Sequence, residues 1–155
     1  MTPPAIRQAQ SDQDITHARE LFREYADWLA IDLGFQHFDE ELATLPGKYA
    51  PPRGRLFLAG DAPVGCIALR PLDEAGVGEV KRLYVRDAAR GTGLGRTLVE
   101  TVIAHARDIG YGELRLDTAG WMHDAVRLYG KLGFRECSPY YHNPMPGAVY
   151  MSLVL

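Results

Sequence analysis

The run Arg90-Gly91-Thr92-Gly93-Leu94-Gly95-Arg96 has a composition suited to gripping a phosphate. Glycine has no Cβ and adopts positive φ at little cost, so a backbone rich in it can approach a ligand closely. The run follows a strand-like stretch, Val77 to Val85, and opens a helix-like one, Leu94 to Asp108. A helix start offers amides with no intrahelical acceptor together with the positive end of the dipole. Arg90 and Arg96 add charge on either side, completing a cradle for a phosphate or pyrophosphate. A Walker loop would need a lysine after its glycines, and none follows. A dinucleotide fingerprint would need Gly-x-Gly-x-x-Gly in a first βα turn. Gly91, Gly93 and Gly95 are spaced Gly-x-Gly-x-Gly instead, and about half the chain precedes them. A turn with a purely structural purpose is the plain alternative.

Arg90, Gly93 and Gly95 also satisfy Gln/Arg-x-x-Gly-x-Gly/Ala. A second segment, Ala125-Val126-Arg127-Leu128-Tyr129-Gly130-Lys131-Leu132-Gly133-Phe134, fits A-x-x-L-Y-x-K-x-G-F. With the strand Glu79-Val80-Lys81-Arg82-Leu83-Tyr84-Val85, these motifs resemble the GNAT family of N-acetyltransferases, in the family's order and spacing. The likeness runs from about Ala5 to Leu155. It implies an α+β fold: a mixed, mostly antiparallel sheet flanked by helices, with two neighbouring parallel strands that splay apart. The splayed pair is assigned to the strands ending at Val85 and Asp117.

The resemblance also implies a reaction, the direct transfer of an acetyl group from acetyl-CoA to a primary amine in a ternary complex. The loop from Arg90 through Gly91, Thr92, Gly93, Leu94 and Gly95 to Arg96 would bind the pyrophosphate. Leu83, Tyr84 and Val85 would pair with the pantetheine arm. Glu79 stands where many relatives keep a general base, with Asp117 or Glu24 as alternatives, and its plain reading is a strand charge paired to Lys81 or Arg82. Tyr129 stands at the tyrosine often assigned to protonate the leaving thiolate; it could equally pack on its helix's apolar stripe. Many relatives carry an asparagine where this chain has Met122, so one polar contact to the arm is lost.

The acceptor is expected to be a small molecule, with protein lysines or N-termini, or a non-catalytic acyl-CoA-binding module, as alternatives. Glu24, Tyr25, Asp27, Trp28, Phe35 and Phe38 are candidates for its pocket, with Tyr141 from the run Pro139 to Pro144. Leu45 to Tyr49 reads as either a mobile cover or a static loop. Small relatives are often dimers, which makes a homodimer an expectation.

Composition narrows the setting. The chain has 155 residues, of which 46% are hydrophobic, enough for one domain over residues 1–155 with a real core. The net charge of −3 argues against non-specific nucleic-acid binding. Acids dominate the first 46 residues, where only Arg7, Arg19 and Arg23 oppose nine carboxylates, while Lys81, Arg82, Arg86, Arg90 and Arg96 gather at the glycine loop. An anionic cofactor on the basic side and a cationic acceptor near the acidic side would fit; solvated helix faces would fit as well. No run approaches membrane-spanning length, and Met1 to Arg7 lacks a signal-like apolar segment. Cys66 and Cys137 make no disulfide framework, so a cytoplasmic setting is expected. The five histidines are scattered without a metal-binding pattern.

The elements that must position these groups follow from periodicity. A short strand over Ala5 to Gln10 precedes a helix opened by a Ser11/Asp14 capping box, with Ala18, Leu21, Phe22, Tyr25 and Leu29 on one stripe. A second helix covers Asp39 to Leu45 and stops at Pro46-Gly47. Arg55 to Ala59 and Val64 to Leu69 form a hairpin. The helix after the loop ends at Gly110. Leu114 to Asp117 is a strand, the Tyr129 helix closes at Gly133, and Phe134 to Glu136 and Val149 to Val154 are the last two strands.

Overall fold

The computed structural model describes residues 4–155. The opening of the signal-like-segment reading, at Met1 to Pro3, lies outside the described residues. Seven strands form one sheet: β1 (Ile6–Gln8), β2 (Arg55–Ala59), β3 (Gly65–Pro71), β4 (Val77–Val85), β5 (Glu113–Thr118), β6 (Arg135–Glu136) and β7 (Val149–Val154). Among the described residues, four α-helices accompany them: α1 (Asp12–Leu29), α2 (Phe38–Thr44), α3 (Leu94–Ile109) and α4 (His123–Lys131). The strand order is β1-β2-β3-β4-β5-β7-β6. Only β4 and β5 are parallel; the other neighbours are antiparallel.

Alternation along the strands sorts the core into two layers. Leu56, Leu58, Cys66, Ala68 and Tyr84 face α1 and α2, packing on Leu21, Phe22, Leu29 and Phe38. Phe57, Ala59, Ile67, Leu69, Val80, Leu114 and Leu116 face α3, whose Leu98, Val99 and Val102 are fully buried. The capping box of α1 forms as its sequence implies, Ser11 accepting from the Asp14 amide and Asp14 from the Ser11 amide. Gly110 caps α3 in the left-handed conformation at φ 109°.

Two features of β4 shape the site. Its pairing with β5 covers only Val77↔Glu113, Gly78↔Leu114 and Glu79↔Arg115. Beyond Glu79 the strands part, which is the expected splay. On the other edge the register with β3 slips between Cys66↔Tyr84 and Ala68↔Lys81, so β4 carries one extra residue. Arg82 takes the strain at φ 61°. Such a bulge turns consecutive side chains toward one side, and Lys81 and Arg82 are both buried there.

The Leu45 to Tyr49 segment, read as a mobile cover or a static loop, is anchored in the core at both ends. Leu45 and Tyr49 are buried, and the Tyr49 ring meets Phe22 edge-on at 6.1 Å. Phe38 also belongs to the core, with the Arg82 guanidinium 5.2 Å from its ring centroid.

Candidate active site

The glycine loop folds as a ligand cradle. Gly91 and Gly93 sit at φ 78° and 84°, and a Cβ at either would meet nothing within 4 Å. The space in front of the loop is therefore open, and the chain's own packing does not explain the glycines. Thr97 is the first residue of α3 whose amide reaches a backbone carbonyl, that of Gly93 at 3.1 Å. The amides of Leu94, Gly95 and Arg96 before it have no backbone acceptor among the described residues, so the helix start presents free donors. Gly95 is helical and lies 3.7 Å, measured from a built Cβ, from Leu128 of α4.

Arg90 stands at the loop but is partly engaged. Its Nε donates to Val85 O at 2.8 Å, it pairs with Asp87, and its guanidinium lies 4.8 Å from the Trp28 ring centroid. Arg96 pairs with Glu100 at 3.3 Å. The Arg86 amide donates to Val64 O, just before β3, so by alternation Tyr84 bonds to β3 while Leu83 and Val85 turn backbone groups to the splay.

The cleft in that splay is lined by Tyr25, Lys81, Leu83, Asp117, Met122 and Tyr129, with further apolar neighbours. Tyr129 is buried at 6% exposure, its ring edge-on to Phe134, and its hydroxyl has no hydrogen bond to another of the described residues. Burial raises its pKa, which keeps it protonated and able to donate. Tyr25, similarly placed, is pushed up to about 12 by burial. Met122 stands at the N-cap of α4 without a side-chain cap and accepts a weak bond from Thr118 Oγ1.

Across Lys81 lies a second cavity of about 460 Å³. Phe35, stacked on Tyr141 at 6.4 Å, and Tyr140 form its aromatic wall. Glu79, 1% exposed, is at its floor. Arg70 Nε donates to Glu79 at 2.8 Å, Tyr140 donates to its other oxygen, and Lys81 Nζ lies at 3.9 Å. Burial works to raise this carboxyl's pKa, but the Lys81 and Arg70 charges and the bonds from Tyr140 and Arg70 outweigh it. Glu79 is therefore held below the usual carboxylate range. Asp117 on β5 accepts from Tyr141 and from Asn143 Nδ2.

Four of the residues expected at the acceptor pocket, Glu24, Asp27, Trp28 and Phe38, line neither cavity. Glu24 accepts from Arg86 Nε at 2.9 Å and from Tyr84, and it lines neither cavity. Trp28 packs on Trp121 at 5.3 Å and under Arg90, beside the phosphate loop. Both sit on one stretch of α1 that the helical twist turns toward the loop. Asp27 is exposed. The acidic stretch thus does not line the acceptor side; Lys48, Arg70, Lys81 and Arg115 oppose Asp73, Glu74 and Glu79 there. Tyr141 and Phe35 line the second cavity, and Tyr25 lines the cleft. Tyr140 comes from the run Pro139 to Pro144 that the sequence marks, whereas Arg70 and Arg115 reach the cavity through strand pairing that no local motif signals.

No group of three or more His, Cys, Asp or Glu residues among those described could hold a metal. No helix of the described residues is long and apolar enough to cross a membrane.

A glycine cradle at a helix start, beside a gap between two parallel strands, suits a phosphate-bearing carrier whose arm lies in the gap. The chain belongs to the Acetyltransferase (GNAT) family, whose model matches residues 14–134. An N-acetyltransferase of Schizosaccharomyces pombe is 41% identical over 152 residues, covering 96% of this chain and 93% of that one. A solved structure from Klebsiella pneumoniae described as an acyl-CoA N-acyltransferase superposes with TM-score 0.75 at 27% identity, covering 98% of this chain and 97% of its own. A Streptococcus agalactiae acetyltransferase gives 0.81 at 20% identity over the whole of both chains, a likeness of fold.

Proposed function

We propose that the protein transfers the acetyl group of acetyl-CoA to a primary amine of a small molecule by direct attack within a ternary complex. The observation that carries this reading is that two cavities meet at the splay. One lies between Leu83, Met122 and Tyr129; the other opens beside Glu79, and Lys81 and Gln36 line both. A donor and an acceptor entering from opposite sides would bring their reacting atoms together there.

The residues fit the donor. Free amides from Leu94 to Arg96 would hold its pyrophosphate, and the open edge at Leu83 and Val85 would hold its arm. A backbone amide at that edge would polarise the thioester carbonyl. Tyr129, protonated and with its hydroxyl unspent, would supply a proton to the departing sulfur. Glu79, anionic and fixed by Arg70 and Tyr140, would draw the acceptor's ammonium into the pocket; its depressed pKa favours this electrostatic role over that of the base. An acceptor pocket of about 460 Å³ falls among small-ligand sites, roughly 300–1,000 Å³. That size supports a small acceptor over a polypeptide, and Glu79 with Tyr129 supports turnover over regulation. A cytoplasmic location rests on two free cysteines.

Thiol release from acetyl-CoA with a panel of amines, amino acids, polyamines and aminoglycosides tests the reading. Tyr129→Phe should then lower kcat by about 10²-fold, within the range of a general acid, while calorimetric affinity for coenzyme A stays unchanged. Equal turnover in both proteins would remove the proton-donor role. Acetylation of proteins alone would move the acceptor to the polypeptide class.

A further inference from the structure

We propose that Lys81 is the group that takes the proton from the acceptor's ammonium, a catalytic residue beside Tyr129; this rests on the acetyl-transfer reading above. Its side chain is 5% exposed, yet its Nζ has no hydrogen-bond partner among the described residues. The nearest carboxylate oxygens, Glu79 Oε1 and Asp117 Oδ1, stand at 3.9 and 4.0 Å, beyond hydrogen-bond reach. No fully buried side-chain nitrogen or oxygen lacks a partner among the described residues, so this unpartnered Nζ is open to the cavities it lines, where a bound molecule would meet it. Lys81 faces two such spaces, because it lines both the donor cleft and the acceptor pocket. Gln36 shares that position, but it does not titrate and is spent on Arg82 and Tyr141.

Charged groups surround Lys81 from three strands. Glu79 and Arg82 act from its own strand, Asp117 from β5 and Arg70 from β3. The Tyr141 ring lies 6.0 Å away on the β6–β7 connection, and Tyr25 of α1 and Tyr129 of α4 line the same cleft. Burial lowers the Lys81 pKa to about 8, against the upward pull of Glu79 and Asp117. Roughly a tenth of the molecules then carry a neutral amine at pH 7. A proton acceptor works best when its pKa lies near the working pH. Glu79, held below the carboxylate range, is by the same rule a poor acceptor from an ammonium whose pKa is about 10.

The neutral Nζ takes one proton from R–NH3+, leaving R–NH2. The amine lone pair forms the C–N bond to the thioester carbonyl carbon, and the C–S bond breaks with its electron pair going to sulfur. Tyr129 protonates the thiolate and regains a proton from the new amide nitrogen. Lys81 releases its proton to water through the acceptor pocket. One amide, one thiol and one proton result.

The test uses an amine that the wild-type protein acetylates. Lys81→Arg keeps the charge but cannot give up its proton, and Lys81→Met keeps the length without the charge. Both should lose about 10²-fold or more in kcat/KM, with unchanged calorimetric affinity for coenzyme A. The wild-type rise of kcat/KM with pH, centred near 8, should vanish in both. Separately, an NMR titration of the lysine Nζ signal that disappears in Lys81→Met should show a transition near 8 in the ligand-free protein. Wild-type rates in either variant, or titration of that signal in the ordinary lysine range, would overturn the proposal. If Lys81→Arg crowds the cleft and fails to fold, Lys81→Met and the titration decide. A wild-type protein that releases no thiol with any amine overturns the acetyl-transfer reading and this assignment together; an active wild type with unaffected variants overturns this assignment alone.

Discussion

Glu79 and Lys81 are two residues apart on one strand, and the same burial leaves both ionisable groups shifted downward by different routes. The carboxylate is lowered because cations outweigh its desolvation; the amine is lowered because desolvation outweighs its carboxylates. Each group's charge steadies the other, so altering one must move the other. Glu79→Gln removes an upward pull on Lys81, which should then lose its proton at lower pH. The rise of kcat/KM should shift to lower pH, while the maximal rate falls by about 10-fold as the acceptor's ammonium loses a charged partner. A pH profile of the variant checks this, and an unmoved limb would separate the two residues. Part of this pair was legible in the chain. Glu79-Val80-Lys81 and Glu113-Leu114-Arg115-Leu116-Asp117 alternate charge with apolar residues, which puts all five charges on one face of the sheet once the strands are neighbours. The partners that fix Glu79, Arg70 and Tyr140, come from residues 9 and 61 positions away, and no local spacing reveals them.

At the scale of elements, α3 and its loop were readable because everything that defines them is local. Glycines at the start, an apolar stripe and Gly110 at the end suffice to place Leu94–Ile109. The bulge in β4 was not readable, since Arg82 in a left-handed conformation contradicts its own propensity and is held by tertiary contacts. Arg82 Nε and one terminal nitrogen donate to Glu41 at 2.8 and 3.1 Å, and the other donates to Gln36 at 2.6 Å. Tyr49 donates to the same carboxylate at 2.7 Å. One acid on α2 thus ties the bulge, the Tyr49 turn and, through Gln36, Tyr141 of the acceptor pocket. Arg82 is 2% exposed on its side chain, so deleting its partner strands a buried cation. Glu41→Ala should cost about 3–5 kcal/mol of stability, measured by denaturant unfolding, and the surviving folded protein should show a raised KM for the acceptor. A loss under about 1 kcal/mol, the scale of a surface pair, would show that the bulge stands without this carboxylate.

For the whole molecule, the sheet is two antiparallel blocks, β1 to β4 and β5 to β7, joined by three residue pairs at β4 and β5. α3 packs mainly on the first block, and the Tyr129 helix leads from β5 into β6 of the second. A coenzyme arm in the splay would touch both blocks and supply β4 with the hydrogen bonds that β5 withdraws from it. Binding should therefore stabilise the molecule along this seam. At a coenzyme A concentration about a hundred times Kd the gain is about 2.7 kcal/mol, visible as a rise in the unfolding midpoint. Amide exchange should report where it falls. The Leu83 and Val85 amides and those from Gly91 to Arg96 should slow on binding, while β2 and β3 amides, already paired on both sides, should change little. Protection confined to the glycine loop, with Leu83 and Val85 exchanging as fast as in the free protein, would mean that the diphosphate is held but the arm lies outside the gap. The meeting of two substrates at Lys81 requires the arm inside it.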